Sequence, residues 1–116
     1  MAIQVKRVYE AASQADGVRV LVDRLWPRGL AKATARIDIW ARDVAPSEAL
    51  RRWYGHEPDR WPEFRRRYFA ELDVNRAALN SLLEAARGGT VTLLYGSKET
   101  RLNNAVALKD YLESLL

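Results

Sequence analysis

"TVTLLYGSKETRLNNAVALKDYLESLL", residues 90–116, reads as a strand, then a loop, then a helix. Its first residues are apolar, aromatic or β-branched and lead to Gly96, which is typical of a short buried strand. From about Asn103 onward, apolar residues recur at the spacing of one helical face: Ala105, Leu108, Leu112 and Leu115. Because a strand that leads through a loop into a helix is the building unit of a parallel sheet, this stretch predicts an α/β fold.

Two more strands are predicted near the start of the chain. Residues 3–10 alternate apolar and polar side chains, as in an edge or half-covered strand, and residues 18–22 (VRVLV) form a more apolar, more central strand. Residues 14–17 read as a turn. The connection of roughly nine residues is short for a helical crossover, which favours antiparallel pairing or a looping connection. Residues 36–44 alternate more weakly and predict a strand-like or irregular segment.

Three helices are predicted between these segments and the strand that begins at Thr90. Ser47 is placed as the N-cap of a short helix that ends near Gly55. A second helix has Asp59 as its predicted cap, and a third spans about residues 75–87. The second helix carries an apolar stripe on one face: Trp61, Phe64, Tyr68 and Leu72.

The composition is that of an ordinary globular protein. The chain has 116 residues, of which 48% are hydrophobic and 29% charged, which is enough for one core and too little for two. We therefore predict a single domain over residues 1–116, an α/β sandwich whose small, at least partly parallel sheet is flanked by helices. The absence of a signal-peptide pattern and of roughly 20 consecutive apolar residues predicts a cytoplasmic protein without a membrane partner. The oligomeric state is left open.

Several kinds of chemistry are disfavoured by residue type. The chain lacks cysteine, which removes disulfides, thiolate catalysis and cysteine-ligated metals. Its single histidine, His56, makes a conventional zinc site unexpected. The stretch "GSK" (residues 96–98) is not a Walker loop, and no flavin or nicotinamide fingerprint is present. We therefore predict no metal and no cofactor.

Polar and aromatic side chains follow the two most apolar strands at the points where these strands end. Ligands of open α/β sheets bind beyond the carboxyl ends of parallel strands. If the strands ending at Val22 and Tyr95 are parallel neighbours, the side chains that follow them gather at one edge of the sheet. The residues predicted to bind a ligand there are Arg24, Trp26, Arg28, Ser97, Lys98 and Asn103.

The chemistry of this group favours an anionic ligand. Arg24 or Arg28 can hold a phosphate or carboxylate through two parallel N–H bonds, and Lys98 adds a compact positive charge. Asp23 is more simply a partner that orients an arginine than an acid–base group, and it is a weak candidate for a catalytic residue. Trp26 either stacks on a planar ligand or covers the core.

Ser97 is a poor candidate for a nucleophile. Nucleophilic serine catalysis needs a base within hydrogen-bond reach of the hydroxyl. The sole histidine, His56, lies far from Ser97 in the sequence, and no sequence feature places the two side chains together. The sequence therefore leaves the question of enzymatic activity open.

Three functions are compatible with these features. The first is a pocket for a nucleotide or another phosphorylated metabolite, with or without a reaction. The second is nucleic-acid binding through the arginine-rich helix around Arg65–Arg67, although the net charge of +4 is modest and a solvated helix face is the simpler interpretation. The third is a non-catalytic interaction protein whose charges form an internal ion-pair network.

The same stretches resemble a known family. "VRVLVDRLWPRGL", Trp40, "APSEALR", "FRRRYFAEL" and "VTLLYGSKETRLNNAVALKDYL" closely resemble the YeaO-like proteins, domain of unknown function family 488. The resemblance covers nearly the whole chain and implies a compact single-domain bacterial α/β protein. According to this resemblance, the family motif corresponds to the following residues of the chain: Asp23, Arg24, Trp26, Pro27, Arg28, Gly29, Pro46, Ser47, Tyr95, Lys98 and Asn103.

Two positions depart from the pattern of the family. Glu99 stands where an aspartate or asparagine is usual, and Asn104 stands where the family pattern has a histidine. The second departure weakens any mechanism that would need that imidazole.

Overall fold

Four parallel strands form the centre of the computed structural model, which describes residues 2–116. They are β1 (Ala2–Arg7), β2 (Val18–Leu21), β3 (Ile39–Trp40) and β4 (Thr90–Tyr95), and their order across the sheet is β1-β4-β2-β3. Every pairing between neighbouring strands is parallel. The predicted α/β fold with a parallel sheet is therefore confirmed, and the two most apolar strands, β2 and β4, are neighbours.

Five helices accompany the sheet within residues 2–116. They are α1 (Lys32–Ala35), α2 (Glu48–Tyr54), α3 (Trp61–Val74), α4 (Asn80–Gly88) and α5 (Asn104–Leu115). The Ser47 hydroxyl accepts a hydrogen bond from the Leu50 backbone N–H and caps α2 as predicted, and Gly55 ends that helix with a φ of 53°. The Asn103 side chain caps α5 in the same way, through the Val106 N–H.

The alternation of side chains along the strands gives the sheet two different faces. Val20 of β2 and Leu93 of β4 are paired and point into the large core, where α2, α3, α4 and α5 pack. The next pair, Leu21 and Leu94, points to the opposite face and forms a smaller core with Val8. The sheet is thus covered mainly by helices on one face and by loops on the other.

The loop-covered face also contains a buried group of charges. Arg19 of β2 is only 4% exposed, and its guanidinium donates to the Asp16 carboxylate at 2.5 Å and to the backbone carbonyls of Ala35 and Arg36. Lys6 of β1 lies 3.1 Å from the other oxygen of the Asp16 carboxylate. We call Lys6, Asp16 and Arg19 the ion cluster. All of its charges have partners inside the protein.

The connection between β1 and β2 differs from one predicted alternative. Antiparallel pairing is wrong, because β4 lies between the two strands and pairs with both in parallel. The chain instead loops across the start of β4, with a short 3-10 turn at Gln14–Asp16. Gly17 follows with a φ of 62°, and its backbone passes so close to the Thr90 carbonyl that a Cβ there would overlap it.

Four boundaries also differ from the prediction. The strand predicted over residues 3–10 ends at Arg7. In residues 36–44, only Ile39–Trp40 is a strand, and a 3-10 turn follows. The predicted helix over 75–87 is divided into a 3-10 turn and α4, which begins at Asn80. Asp59 does not cap α3, because it lies within a preceding 3-10 turn and Arg60 occupies the capping position. Within residues 2–116, no helix has the length and apolar character needed to cross a membrane.

Candidate functional site

A cavity of about 210 Å³ opens where β2 and β4 end. Four parts of the chain enclose it: the segment after β2, the region from Ala45 through α2 to His56, one side chain of α3, and the loop from β4 into α5. We call it the strand-end cavity. The residues that line it are Asp23, Arg24, Leu25, Ala45, Pro46, Arg51, Tyr54, His56, Phe64, Ser97 and Asn104.

Asp23 ties together the elements that meet at this cavity. One oxygen of its carboxylate accepts a hydrogen bond from the Gly96 backbone N–H at 2.8 Å, and the other accepts one from the Asn104 side-chain amide at 3.1 Å. The same amide also donates to the Val22 carbonyl at 3.1 Å. A Cβ on Gly96 would lie 3.2 Å from the Asp23 carboxylate, so a glycine at this strand end allows the close approach.

The environment of Asp23 disfavours its charge. Burial raises the pKa of its carboxyl above the ordinary value of 3.8, and the hydrogen bonds from Asn104 and Gly96 and the charges of Arg51 and His56 offset only part of that effect. Among residues 2–116 the Asp23 carboxylate forms no ion pair with Arg24, Arg28 or another cation. The predicted role of Asp23 in orienting an arginine is therefore not what the geometry provides.

Three basic side chains line the cavity, one from the segment after β2 and two from α2 and its end. Arg24 donates to the carbonyls of Ala45 and Pro46 through long bonds of 3.3 and 3.4 Å. The Arg51 guanidinium is half-exposed and lies 3.8 Å from its nearest carboxylate, that of Glu48. His56 follows the end of α2 with a φ of 56°, unusual for a residue with a side chain. The three side chains thus have weak internal partners or none in the described chain.

One wall of the cavity is aromatic. The Tyr54 and Phe64 rings stack with their centroids 4.3 Å apart, and Trp61 continues the stack 5.6 Å from Phe64. The Tyr54 hydroxyl donates to the Leu102 carbonyl at 2.7 Å, which fixes α2 to the loop before α5. The His56 ring lies 5.6 Å from that of Tyr54. Because Tyr54 and Phe64 are 3% and 2% exposed, this wall presents only a small apolar area beside the charged groups.

The structure brings only part of the predicted ligand-binding group together. Arg24 and Ser97 line the strand-end cavity, as does Asp23. Arg28 and Lys98 are exposed and lie outside its lining. The Arg28 carbonyl accepts a bond from the Tyr9 hydroxyl, which places this part of the loop towards the end of β1.

Trp26 and Asn103 occupy structural positions. Trp26 packs edge-on against Trp40 at 5.4 Å, in the smaller core on the opposite face of the sheet, and its indole N–H donates to the Leu30 carbonyl. Asn103 is 1% exposed, and its side chain is used by its capping bond and by a bond to the Glu99 carbonyl. Trp26 therefore covers the core, which was one of its two predicted roles.

The loop between β4 and α5 is held by its own side chains. The Glu99 carboxylate accepts bonds from the backbone N–H groups of Arg101 and Leu102, and these bonds lower the pKa of Glu99. The Ser97 hydroxyl donates to the Glu99 carbonyl at 3.2 Å. Because the Ser97 hydroxyl is directed to a carbonyl and not to His56, the loop does not form a nucleophile–base pair.

Four polar residues that line the cavity were not predicted as site residues: Arg51, Tyr54, His56 and Asn104. Three of them come from α2 and its end, whose docking against the strand ends depends on long-range packing. A partial signal exists in the sequence, because Arg51 and Tyr54 are three residues apart and lie on one side of a helix. Asn104 stands at a position where the sequence departs from the family pattern.

The arginine-rich part of α3 is largely neutralised by neighbouring side chains. Arg66 and Arg67 both bond to the Glu63 carboxylate, which lowers the pKa of Glu63 to about 2. Arg65 lies 4.3 Å from the centre of the Phe69 ring and 3.5 Å from the Asp110 carboxylate. These contacts favour a solvated helix face over a surface arranged for nucleic acid.

A second cavity of about 150 Å³ lies next to the first and shares Arg24 with it. Its polar groups are bonded to one another. The Glu71 carboxylate accepts bonds from the Ser47 N–H and hydroxyl, and the Tyr68 hydroxyl donates to the Val44 carbonyl at 2.5 Å. Among residues 2–116, no group of three or more His, Asp or Glu side chains is arranged to hold a metal ion. The strand-end cavity is thus the better candidate for a ligand site.

Comparison with known proteins gives a match over nearly the whole chain. A family described as "Inactive DUF488-N3 subclade" matches residues 2–116. The chain is 44% identical over 115 residues to "Uncharacterized protein YeaO" of Escherichia coli, covering 99% of this chain and 100% of that protein. It is 43% identical over 110 residues to "Uncharacterized protein Rv3073c" of Mycobacterium tuberculosis, covering 95% and 92%. No solved structure matches.

Proposed function

The chain belongs to the YeaO-like family of domain of unknown function 488, and we propose that it is a binding protein for a small anionic metabolite. The ligand occupies the strand-end cavity and leaves chemically unchanged. One observation carries the proposal: Arg24 from the segment after β2 meets Arg51 and His56 from α2 and its end at one cavity, and none of the three pairs with the carboxylate that lines it.

The charges of the cavity support a ligand that is itself an anion. Neighbouring basic groups repel one another, and the Glu48 carboxylate, 3.8 Å from Arg51, offsets only part of that repulsion, so a bound anion is favoured. The planar guanidinium groups of Arg24 and Arg51 offer paired N–H donors that match phosphate and carboxylate oxygens. The long bonds that Arg24 makes to backbone carbonyls can be exchanged for bonds to a ligand at small cost.

The size of the cavity favours a small metabolite over a nucleotide. Its volume of about 210 Å³ lies below the roughly 300–1,000 Å³ that pockets for drug-sized ligands enclose. A dinucleotide or a nucleoside triphosphate does not fit within it. Of the predicted ligands, a phosphorylated metabolite without a base is therefore the better match.

Binding without reaction is supported by the polar groups of the site. The Ser97 hydroxyl donates to a backbone carbonyl, and the groups bonded to Asp23 are the Gly96 backbone N–H and the Asn104 amide, neither of which acts as an acid or a base near neutral pH. The family description carries the word "Inactive", in agreement with a binding role.

Titration calorimetry tests this proposal with two neighbouring arginines of α2. Inorganic phosphate and a panel of phosphorylated metabolites are titrated into the natural protein, Arg51→Gln and Arg52→Gln. Arg52 is the matched control, because it also pairs with Glu48 but does not line the cavity. We expect Arg51→Gln to weaken phosphate binding by about tenfold, since a charge-assisted hydrogen bond is lost, and Arg52→Gln to leave it unchanged.

Three results would contradict the proposed function. Equal losses in both variants would indicate a general effect of surface charge. The absence of measurable heat for phosphate and for every metabolite would show that the protein does not bind these anions. Conversion of any ligand, followed by ³¹P NMR over hours, would show that the protein is a catalyst.

A further inference from the structure

We propose, building on the function above, that the ligand is a phosphorylated monosaccharide of about pentose size. Its hydroxyl groups would face Asp23, and its phosphate would face Arg51 and His56. This assignment follows from three features of the strand-end cavity: a carboxylate with unused acceptor capacity, a group of basic side chains, and an aromatic wall.

The carboxylate sets the first requirement. An ionised carboxylate can accept about four hydrogen bonds, and Asp23 accepts two inside the protein, from Gly96 and Asn104. The remaining capacity faces a cavity in which the protein offers it no further donor among residues 2–116. A simple anion would be repelled by Asp23, whereas a ligand with hydroxyl groups supplies the missing donors. The cavity therefore selects for donors and a negative charge on the same molecule.

The basic side chains set the second requirement. Arg24 and Arg51 carry two full positive charges. Glu48, 3.8 Å from Arg51, is shared with Arg52, and Asp23 lies beyond ion-pair distance, so the two carboxylates offset these charges only in part. A phosphate monoester carries between one and two negative charges at neutral pH. Such a group matches the excess charge better than a single carboxylate and offers three oxygens to the separate donors.

The aromatic wall and the volume set the third requirement. Tyr54 and Phe64 line the cavity but are only 3% and 2% exposed, so they offer the C–H groups of a sugar a small apolar contact. The cavity of about 210 Å³ leaves no room for a base in addition to a sugar and a phosphate. A pentose phosphate satisfies all three requirements at once.

Calorimetry with ribose 5-phosphate, ribose and inorganic phosphate tests this inference. On the natural protein we expect ribose 5-phosphate to bind at least about tenfold more tightly than phosphate, because the hydroxyl groups add bonds to a charged acceptor. Asp23→Asn should weaken ribose 5-phosphate binding and tighten phosphate binding, since it removes the acceptor and also the like charge. Arg51→Gln should weaken both ligands, and Arg52→Gln should change neither.

Ligand analogues test the same point without altering the protein. Asp23→Asn faces the Asn104 amide with a second amide and can disturb the fold, so its circular dichroism and melting temperature are compared with those of the natural chain. Independently, 2-deoxyribose 5-phosphate and 1,4-anhydroribitol 5-phosphate each lack one hydroxyl group of ribose 5-phosphate. We expect at least one of them to bind about tenfold more weakly to the natural protein.

The possible failures are distinct. If phosphate binds through Arg51 but ribose 5-phosphate binds no more tightly, the sugar assignment is wrong and the anion-binding function stands. Equal affinities for ribose 5-phosphate and both deoxygenated analogues would also overturn the assignment. If neither phosphate nor ribose 5-phosphate binds, both proposals fail.

Discussion

Asp16 and Asp23 are two partly or fully buried aspartates with opposite surroundings. Asp16, in the ion cluster, contacts Lys6 and Arg19, and the cluster is enclosed by loops on one face of the sheet. Asp23, at the end of β2, is bonded to two amides, while Arg51 and the other basic groups remain across a cavity. In the ion cluster, every charge is paired with another group of the protein. At the strand-end cavity, one carboxylate and several basic side chains remain available to a ligand.

The acidities of the two carboxyl groups follow this difference. For Asp16, burial alone would raise the pKa, but bonds from the Ser13 N–H, Lys6 and Arg19 outweigh it, so the pKa lies below 3.8. For Asp23, burial outweighs the bonds from its amide partners, and the pKa is raised. Paired charges of the first kind serve the fold, whereas a half-buried carboxylate without a cationic partner at the wall of a cavity is a more informative sign of a binding site.

The largest effect is expected at the turn that brings Asp16 to its cations. Gly17→Ala requires a side chain at a φ of 62° and directs its Cβ into the Thr90 carbonyl. Left-handed strain and the clash together should reduce the free energy of unfolding by about 3 kcal/mol or more. Gly29→Ala is the control, because Gly29 has a φ of 71° with no neighbour within 4 Å. It should cost about 1 kcal/mol. Equal costs in urea unfolding would show that the turn is not tightly packed.

The same substitution at the two aspartates compares the two regions directly. Asp16→Asn removes the carboxylate that pairs with the buried Arg19. We expect the free energy of unfolding to fall by about 3 kcal/mol at neutral pH. Asp23→Asn loses one hydrogen bond, but it also removes a charge that is costly to bury. The two effects oppose each other, so the free energy of unfolding should fall by about 1 kcal/mol or less. Urea unfolding of both variants measures the difference. A larger cost at Asp23 would mean that its carboxylate serves the fold and not a ligand.

A smaller effect is expected in the pH dependence of stability. The stabilisation from Asp16 is present above its ordinary pKa of 3.8 and is lost as the pH falls through its lowered pKa. The difference between the natural protein and Asp16→Asn should therefore shrink on acidification below about pH 4.

For Asp23 the direction is reversed. Because its pKa is raised, its contribution is complete below 3.8 and is lost as the pH rises through the raised value. The natural protein should therefore gain stability relative to Asp23→Asn as the pH is lowered from neutral towards about 4. Urea unfolding at a series of pH values measures both differences. If the two differences changed in the same direction, the contrast between the two aspartates would be incorrect.

The parts of the fold that depend on local pattern could be predicted from the sequence. The strand at Thr90–Tyr95, the loop after it and the helix that follows are each fixed by residues close in the chain, as is the cap at Ser47. The place of β4 between β1 and β2 could not be predicted, because it results from pairing between distant segments. The alternation of residues specifies which face is buried but not which strand lies beside which.

The candidate site was predicted in part for the same reason. Asp23, Arg24 and Ser97 follow strand ends, so the rule for parallel sheets places them at the edge where the strand-end cavity opens. Arg51 and His56 reach the cavity only because α2 docks against those ends, which no local pattern specifies. The motif residue Trp26 is close to Arg24 in the chain, but it packs on the opposite face of the sheet. The spacing of Arg24 and Trp26 in the sequence does not show to which face of the sheet the loop after β2 directs each side chain.

Chemical-shift mapping with inorganic phosphate tests the central claim most directly. A ¹H–¹⁵N spectrum that includes arginine side chains is followed while phosphate is added at constant ionic strength. We predict saturable shifts at the Arg51 and Arg24 side chains and at the backbone of His56 and Gly96, with none at Arg65–Arg67. Shifts confined to Arg65–Arg67, or shifts that never saturate, would contradict an anion site at the strand ends.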